Sequence, residues 1–88
     1  MPELCRFEGM IIRMQYKDDA QHHKPHVHAV CGEHQASVGL DGELIAGSLP
    51  IKKLSVLRAW MIMRENQLYA AWNSAVKEIP FGKIDPLR

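Results

Sequence analysis

A chain of 88 residues, 47% hydrophobic and 24% charged, has the composition of one small globular domain: it is too short for two cores and too apolar for disorder. A formal net charge of +1 excludes a strongly basic field, so charge does not indicate a nucleic-acid partner. The two cysteines, Cys5 and Cys31, make no disulfide framework, and no apolar run nears the ~20 residues of a membrane span. The expectation is a cytoplasmic protein with reduced thiols and no membrane partner.

In residues 6–16, RFEGMIIRMQY, Met10, Ile12, Met14 and Tyr16 alternate with Ile11, Arg13 and Gln15, which predicts a strand. KDDAQ reads as a loop, and Pro25 biases Lys24 toward extended geometry. HVHAVC (26–31) and HQASVGL (34–40) are predicted strands flanking Gly32-Glu33, where Gly32 supplies the positive φ of a two-residue hairpin turn. Asp41-Gly42 is a second hairpin signal and leads into ELIAG (43–47). The first 48 residues thus read as a four-stranded antiparallel meander.

The remainder reads as helix. Pro50 suits a first turn and Ser48 the cap before it. Leu54, Leu57, Met61, Leu68, Trp72 and Val76 follow one helical stripe, interrupted by Arg64 and Glu65. One long helix, or two closely in line with a break near Asn66, is expected up to Pro80 and Gly82, followed by an extended KIDPLR tail. The fold class is α+β, a single domain over residues 1–88: a meander of about four strands with the C-terminal helix or helices packed on one sheet face.

All five histidines fall in HHKPHVHAVCGEHQA, residues 22–36. A two-residue turn at Gly32-Glu33 pairs Cys31 with His34, His28 with Ser37 and Val27 with Val38. Opposed residues share a face and neighbours alternate. One face then shows Val27, Ala29, Ala36 and Val38, and the other shows His26, His28, Gln35 and Ser37. The Asp41-Gly42 turn continues the map, setting Val38 against Ile45 and Ser37 against Ala46. The helical stripe needs the apolar face, which leaves His26 and His28 on an open face, about 7 Å apart at Cα.

Two imidazoles at i, i+2 on a strand are a common way to hold a metal, with further ligands sought among His22, His23, His34, Glu33, Asp18 and Asp19. Part of a cupin motif is imitated here, but a cupin needs about twice as many strands and a second histidine motif. The competing chemistry is acid–base work on a phosphodiester, because neutral and protonated imidazole coexist near pH ~6.5. The bland alternative is a set of strand histidines that pack or hydrogen-bond locally, and it fits His34 at its turn best. The methionines read as gap-filling core, Cys31 as a quiet thiol, and Lys52, Lys53, Arg58 and Arg64 as a solvated helix surface. Val56, Trp60 and Met63 lie about 180–240° around the helix from Leu54, so a partner or a second copy is expected to cover them.

RFEGMIIRM, HHKPHVHA, GEHQA, GSLP, Trp72 and KIDPL together resemble, over nearly the whole chain, a bacterial family catalogued as domain of unknown function 4160. Its members usually show H-x-P-P-H-x-H, which maps onto His22, Pro25, His26 and His28, with Lys24 in place of the first proline. The resemblance implies a small bacterial protein encoded beside another small protein, similar to a toxin–antitoxin module. It favours His22, His26 and His28 over His23 and His34, and supplies no established activity.

The expectation drawn from both lines is a histidine site on the open sheet face. His26 and His28 are its candidate catalytic residues, and His22, Gln35 and Ser37 its candidate ligand-binding residues. It acts on a phosphate-containing ligand, RNA first, or uses His22, His26 and His28 to bind a divalent transition metal. The alternative is a non-enzymatic interaction protein with structural histidines. Its Val56, Trp60 and Met63 surface would dock a small protein encoded nearby or a second copy in a homo-oligomer.

Overall fold

A computed structural model describes residues 3–14 and 24–87. They form one antiparallel sheet, β1 (Glu3–Phe7), β2 (Met10–Arg13), β3 (His26–Cys31), β4 (His34–Gly39) and β5 (Leu44–Gly47), with the strands side by side in chain order. Two helices follow, α1 (Ile51–Met63) and α2 (Glu65–Val76). The α+β class stands, with five strands in place of about four.

The additional strand comes from residues 6–16, which are a hairpin and not one strand. Glu8 and Gly9 both take positive φ, 54° and 76°, and set Phe7 opposite Met10. Positive φ at both central positions is the pattern of a two-residue turn whose twist suits paired strands. Asparagine or aspartate usually fills the first of them, and a glutamate there disguises the turn.

The β3–β4 register is the predicted one in every pair from His26↔Gly39 to Cys31↔His34, with Gly32 at φ 61°. In β4–β5, Ser37 faces Ala46 as expected, but Val38 faces Leu44 and not Ile45. The cause is loop length. The Gly39 amide bonds the Glu43 carbonyl at 2.8 Å, so Leu40, Asp41 and Gly42 make a three-residue loop where two were expected. A bulge at Ile45 absorbs the difference.

Cys5, Phe7, Met10, Ile12, Val27, Ala29, Ala36 and Val38 line one sheet face, and all but the half-buried Phe7 are buried there in a cluster with Leu57, Trp60, Met61 and Leu68. Burial pushes the Cys5 thiol up, which keeps it protonated. The helical stripe holds through Leu54, Leu57, Met61, Leu68 and Trp72 but loses Val76, which is half exposed. The helix is broken as expected, at Arg64 (φ −110°, ψ 21°), two residues before Asn66. The bonding ladder carries across it, with Arg64 N–H on the Trp60 carbonyl and Leu68 N–H on the Arg64 carbonyl. Ser48 gives its amide to Gln35 and caps nothing; Pro50 is the N-cap residue, its carbonyl accepting Leu54 N–H. At the far end Glu78, at φ 57°, closes α2 with bonds from Glu78 to Ala75 and from Ile79 to Ser74. No helix among the described residues is long and apolar enough to cross a membrane.

The Val56, Trp60 and Met63 surface is corrected most. Trp60 is fully buried, with its ring 5.5 Å from that of Phe7. The chain after α2 folds back to cover it. Trp60 Nε1–H donates to the Asp85 carbonyl at 2.7 Å, Arg64 donates to the carbonyls of Asp85 and Pro86, and Ile84 N–H reaches the Leu4 carbonyl at 2.9 Å. Val56 is half-buried in the same cluster, and only Met63 stays exposed. The chain's own tail therefore takes the place assigned to a partner.

Candidate functional site

On the sheet face opposite Val27, the registers place Glu3 against Arg13, Arg13 against His28, His28 against Ser37 and Ser37 against Ala46. Residues opposite one another share a face, so these five form one row across the sheet. Arg13 and His28 are half-buried, Ser37 is buried and Ala46 is exposed. His28 and Gln35 are diagonal neighbours whose side chains meet at 3.0 Å, Nε2 to Oε1. A carbonyl oxygen can only accept, so His28 Nε2–H is the donor of this bond.

His26 does not stand beside His28 on an open platform. It is 1% exposed, and its ring centre lies 5.3 Å from that of Trp72 in α2. Its position explains the difference: His26 is the first residue of β3, directly after Pro25, where the Trp72 side chain reaches it. His26 Nδ1–H donates to the Lys24 carbonyl at 2.9 Å. The two histidines therefore turn different nitrogens to their carbonyl partners, Nδ1 in His26 and Nε2 in His28.

Lys24 extends the site toward the β4–β5 turn. Its ammonium bonds Asp41 at 2.9 Å and also contacts Glu43. Those two carboxylates, Glu43 first, push the Lys24 ammonium above its ordinary value. Lys24, aided by the Glu43 backbone amide, holds the Asp41 carboxyl below its own. The Arg6 hydrogen bond does the same for Glu3.

The signs give a pH dependence. A lowered carboxyl adds stability above its ordinary value, 3.8 for Asp41, and loses it as pH falls through the folded value. A raised ammonium adds stability below 10.5 and loses it as pH climbs through the folded value. Urea midpoints measured along a pH series should therefore fall below pH ~4. The fall should be shallower in Lys24→Met, which has already lost the Asp41 partner.

His22 lies outside the described residues, as do His23, Asp18 and Asp19. Among the described residues no three His, Cys, Asp or Glu side chains converge on one point. His34 and Glu33 are exposed at the β3–β4 turn. The residue that the sequence reading missed is Arg13. Alternation did set it on the face opposite Met10, Ile12 and Met14, but its place beside His28 depends on the β2–β3 register. No tight-turn signal in residues 15–23 specifies that register.

The sequence model of a family described as "Domain of unknown function (DUF4160)" matches residues 9–73, a span that includes Arg13, His26, His28, Gln35 and Ser37. No curated protein matches the chain. No solved structure matches it either.

Proposed function

Because the chain belongs to the DUF4160 family, which is defined without a function, we propose one from the site itself: binding of a phosphate-containing ligand, RNA first, over the row of Arg13, His28 and Ser37. The observation that carries this reading is the placement of Arg13 directly opposite His28 on neighbouring strands. Side chains so paired have Cβ atoms about 4.5–5.5 Å apart, close enough to share one phosphate group. A guanidinium presents a planar fork to phosphate oxygens. His28 adds an imidazole, the side chain suited to acid–base work, and Gln35 orients it through Nε2. Ser37 supplies a hydroxyl, and Ala46 leaves the end of the row uncrowded.

In this reading His28 is the acid–base group. His26 is its buried neighbour, and His22 adds a ligand contact from the preceding segment. The setting we propose is a cytoplasmic two-gene bacterial module similar to a toxin–antitoxin pair, with a small partner protein encoded nearby. Labelled single-stranded RNA titrated at several salt concentrations tests the site. Arg13→Ala should weaken binding by about tenfold and reduce the slope of log K against log salt by about 0.7, the loss of one phosphate contact. His28→Ala should weaken it in the same direction. Folded variants that bind RNA as the wild type does contradict the reading.

A second reading has its own observation. The Lys24 carbonyl holds His26 Nδ1–H, and a ring oriented by a backbone carbonyl is common among metal-ligating histidines. His22, His26 and His28 would then bind a divalent transition metal. Elemental analysis of untagged protein separates the two readings: stoichiometric metal favours this one, and metal-free protein that binds RNA favours the first.

A further inference from the structure

We infer that the row of Arg13, His28 and Ser37 takes a terminal phosphate, the phosphomonoester end of an RNA strand, in preference to a phosphodiester within the strand, and that the Ser37 hydroxyl tells the two apart. The inference rests on the phosphate reading above and adds which phosphate is meant.

Ser37 is the observation that points there. It is 5% exposed, in a strand paired on both sides. Its hydroxyl makes no hydrogen bond to any described residue. A buried hydroxyl left unpaired costs stability. The apolar core does not need it, because Ser37 lies on the face opposite Val27 and Val38. The half-buried Arg13 guanidinium is likewise without a hydrogen bond or ion pair among the described residues. Between them stands His28, oriented by Gln35 at 3.0 Å. Two unused donors thus flank one oriented ring.

The oxygen count favours an end group. A guanidinium fork takes two phosphate oxygens. A phosphodiester has two free oxygens, and the fork uses both. A phosphomonoester has a third, which Ser37 can bond. Depth agrees with the count. A phosphodiester carries chain on both sides, whereas an end group projects on a single ester bond and reaches a hydroxyl sunk in the sheet surface. Charge agrees as well. Arg6 at 2.8 Å and Lys83 at 3.8 Å hold Glu3 at the end of the row. With Arg13, three cations act on that one carboxylate. A phosphomonoester brings about two negative charges to the excess.

Single-stranded RNA of one sequence, made with hydroxyl ends, with a 5′-phosphate and with a 3′-phosphate, tests the inference by titration. One of the phosphorylated strands should bind about tenfold tighter than the hydroxyl-ended strand. In Ser37→Ala most of that advantage should disappear. The urea midpoint of the same variant should rise, because alanine removes an unpaired hydroxyl and loses no bond. Equal binding of all three strands, with Arg13→Ala still weakening it, overturns the inference and leaves the row as a site for internal phosphates. A midpoint lowered by Ser37→Ala overturns it too, since the hydroxyl then has a partner within the fold. No binding of any strand removes the inference and the functional reading together. A nucleoside monophosphate that binds as tightly as the phosphorylated strand overturns the RNA end in favour of a free nucleotide.

Discussion

Trp60→Ala should cost about 3–5 kcal/mol, comparable to the whole stability of a small domain, and leave much of the protein unfolded at room temperature. The indole is fully buried against Phe7, and its N–H is the 2.7 Å bond that draws the Asp85 carbonyl onto α1. Alanine removes the ring, opens a cavity beneath the tail and releases residues 83–87 from one of their anchors. Trp60→Phe separates the terms. It keeps most of the apolar volume, loses the donor, and leaves Asp85 with the longer Arg64 bond at 3.2 Å, for a loss of about 1–2 kcal/mol. Urea unfolding of the two variants checks both figures. A Trp60→Ala protein as stable as the wild type would return the Val56, Trp60 and Met63 stripe to the surface.

Gly47→Ala is expected to cost about 2–3 kcal/mol through the backbone rather than the core. Gly47 takes φ 75°, where L residues are strained, and an added Cβ would collide with the Gln35 carbonyl and lie 3.0 Å from Ala36 Cα. Relief requires β5 to move off β4, which also strains the 2.9 Å bond from Ser48 N–H to Gln35. Gly42→Ala is the control. Its φ is 94° but a Cβ there meets nothing within 4 Å, so only the strain of about 1–2 kcal/mol applies. Equal losses in the two variants would show that the collision at Gly47 is absorbed without moving the strands.

Legibility followed the local chemistry of each turn. Gly32 made a two-residue turn readable, and every pair of the β3–β4 register followed, including His28 opposite Ser37. Asp41-Gly42 announced a turn but not its length; the third loop residue and the bulge at Ile45 come from hydrogen bonds that no dipeptide encodes. Glu8-Gly9 was hidden because a glutamate occupies a left-handed position. Helical periodicity found the Leu57 and Met61 face of α1 but misassigned Trp60, since the surface that buries it arrives from residues 83–87, about 25 positions downstream. The site divided along the same line. The shared side of His28, Gln35 and Ser37 follows from period two, whereas Arg13 beside His28 and Trp72 over His26 are long-range placements.

The most direct test of the phosphate row is to map it: titrate single-stranded RNA into ¹⁵N-labelled wild-type protein and follow every amide together with the His28 ring. The account predicts saturable shifts centred on Arg13, His28, Gln35 and Ser37, with α1 unmoved. Shifts centred on the helices, or none with RNA at millimolar concentration, would contradict it.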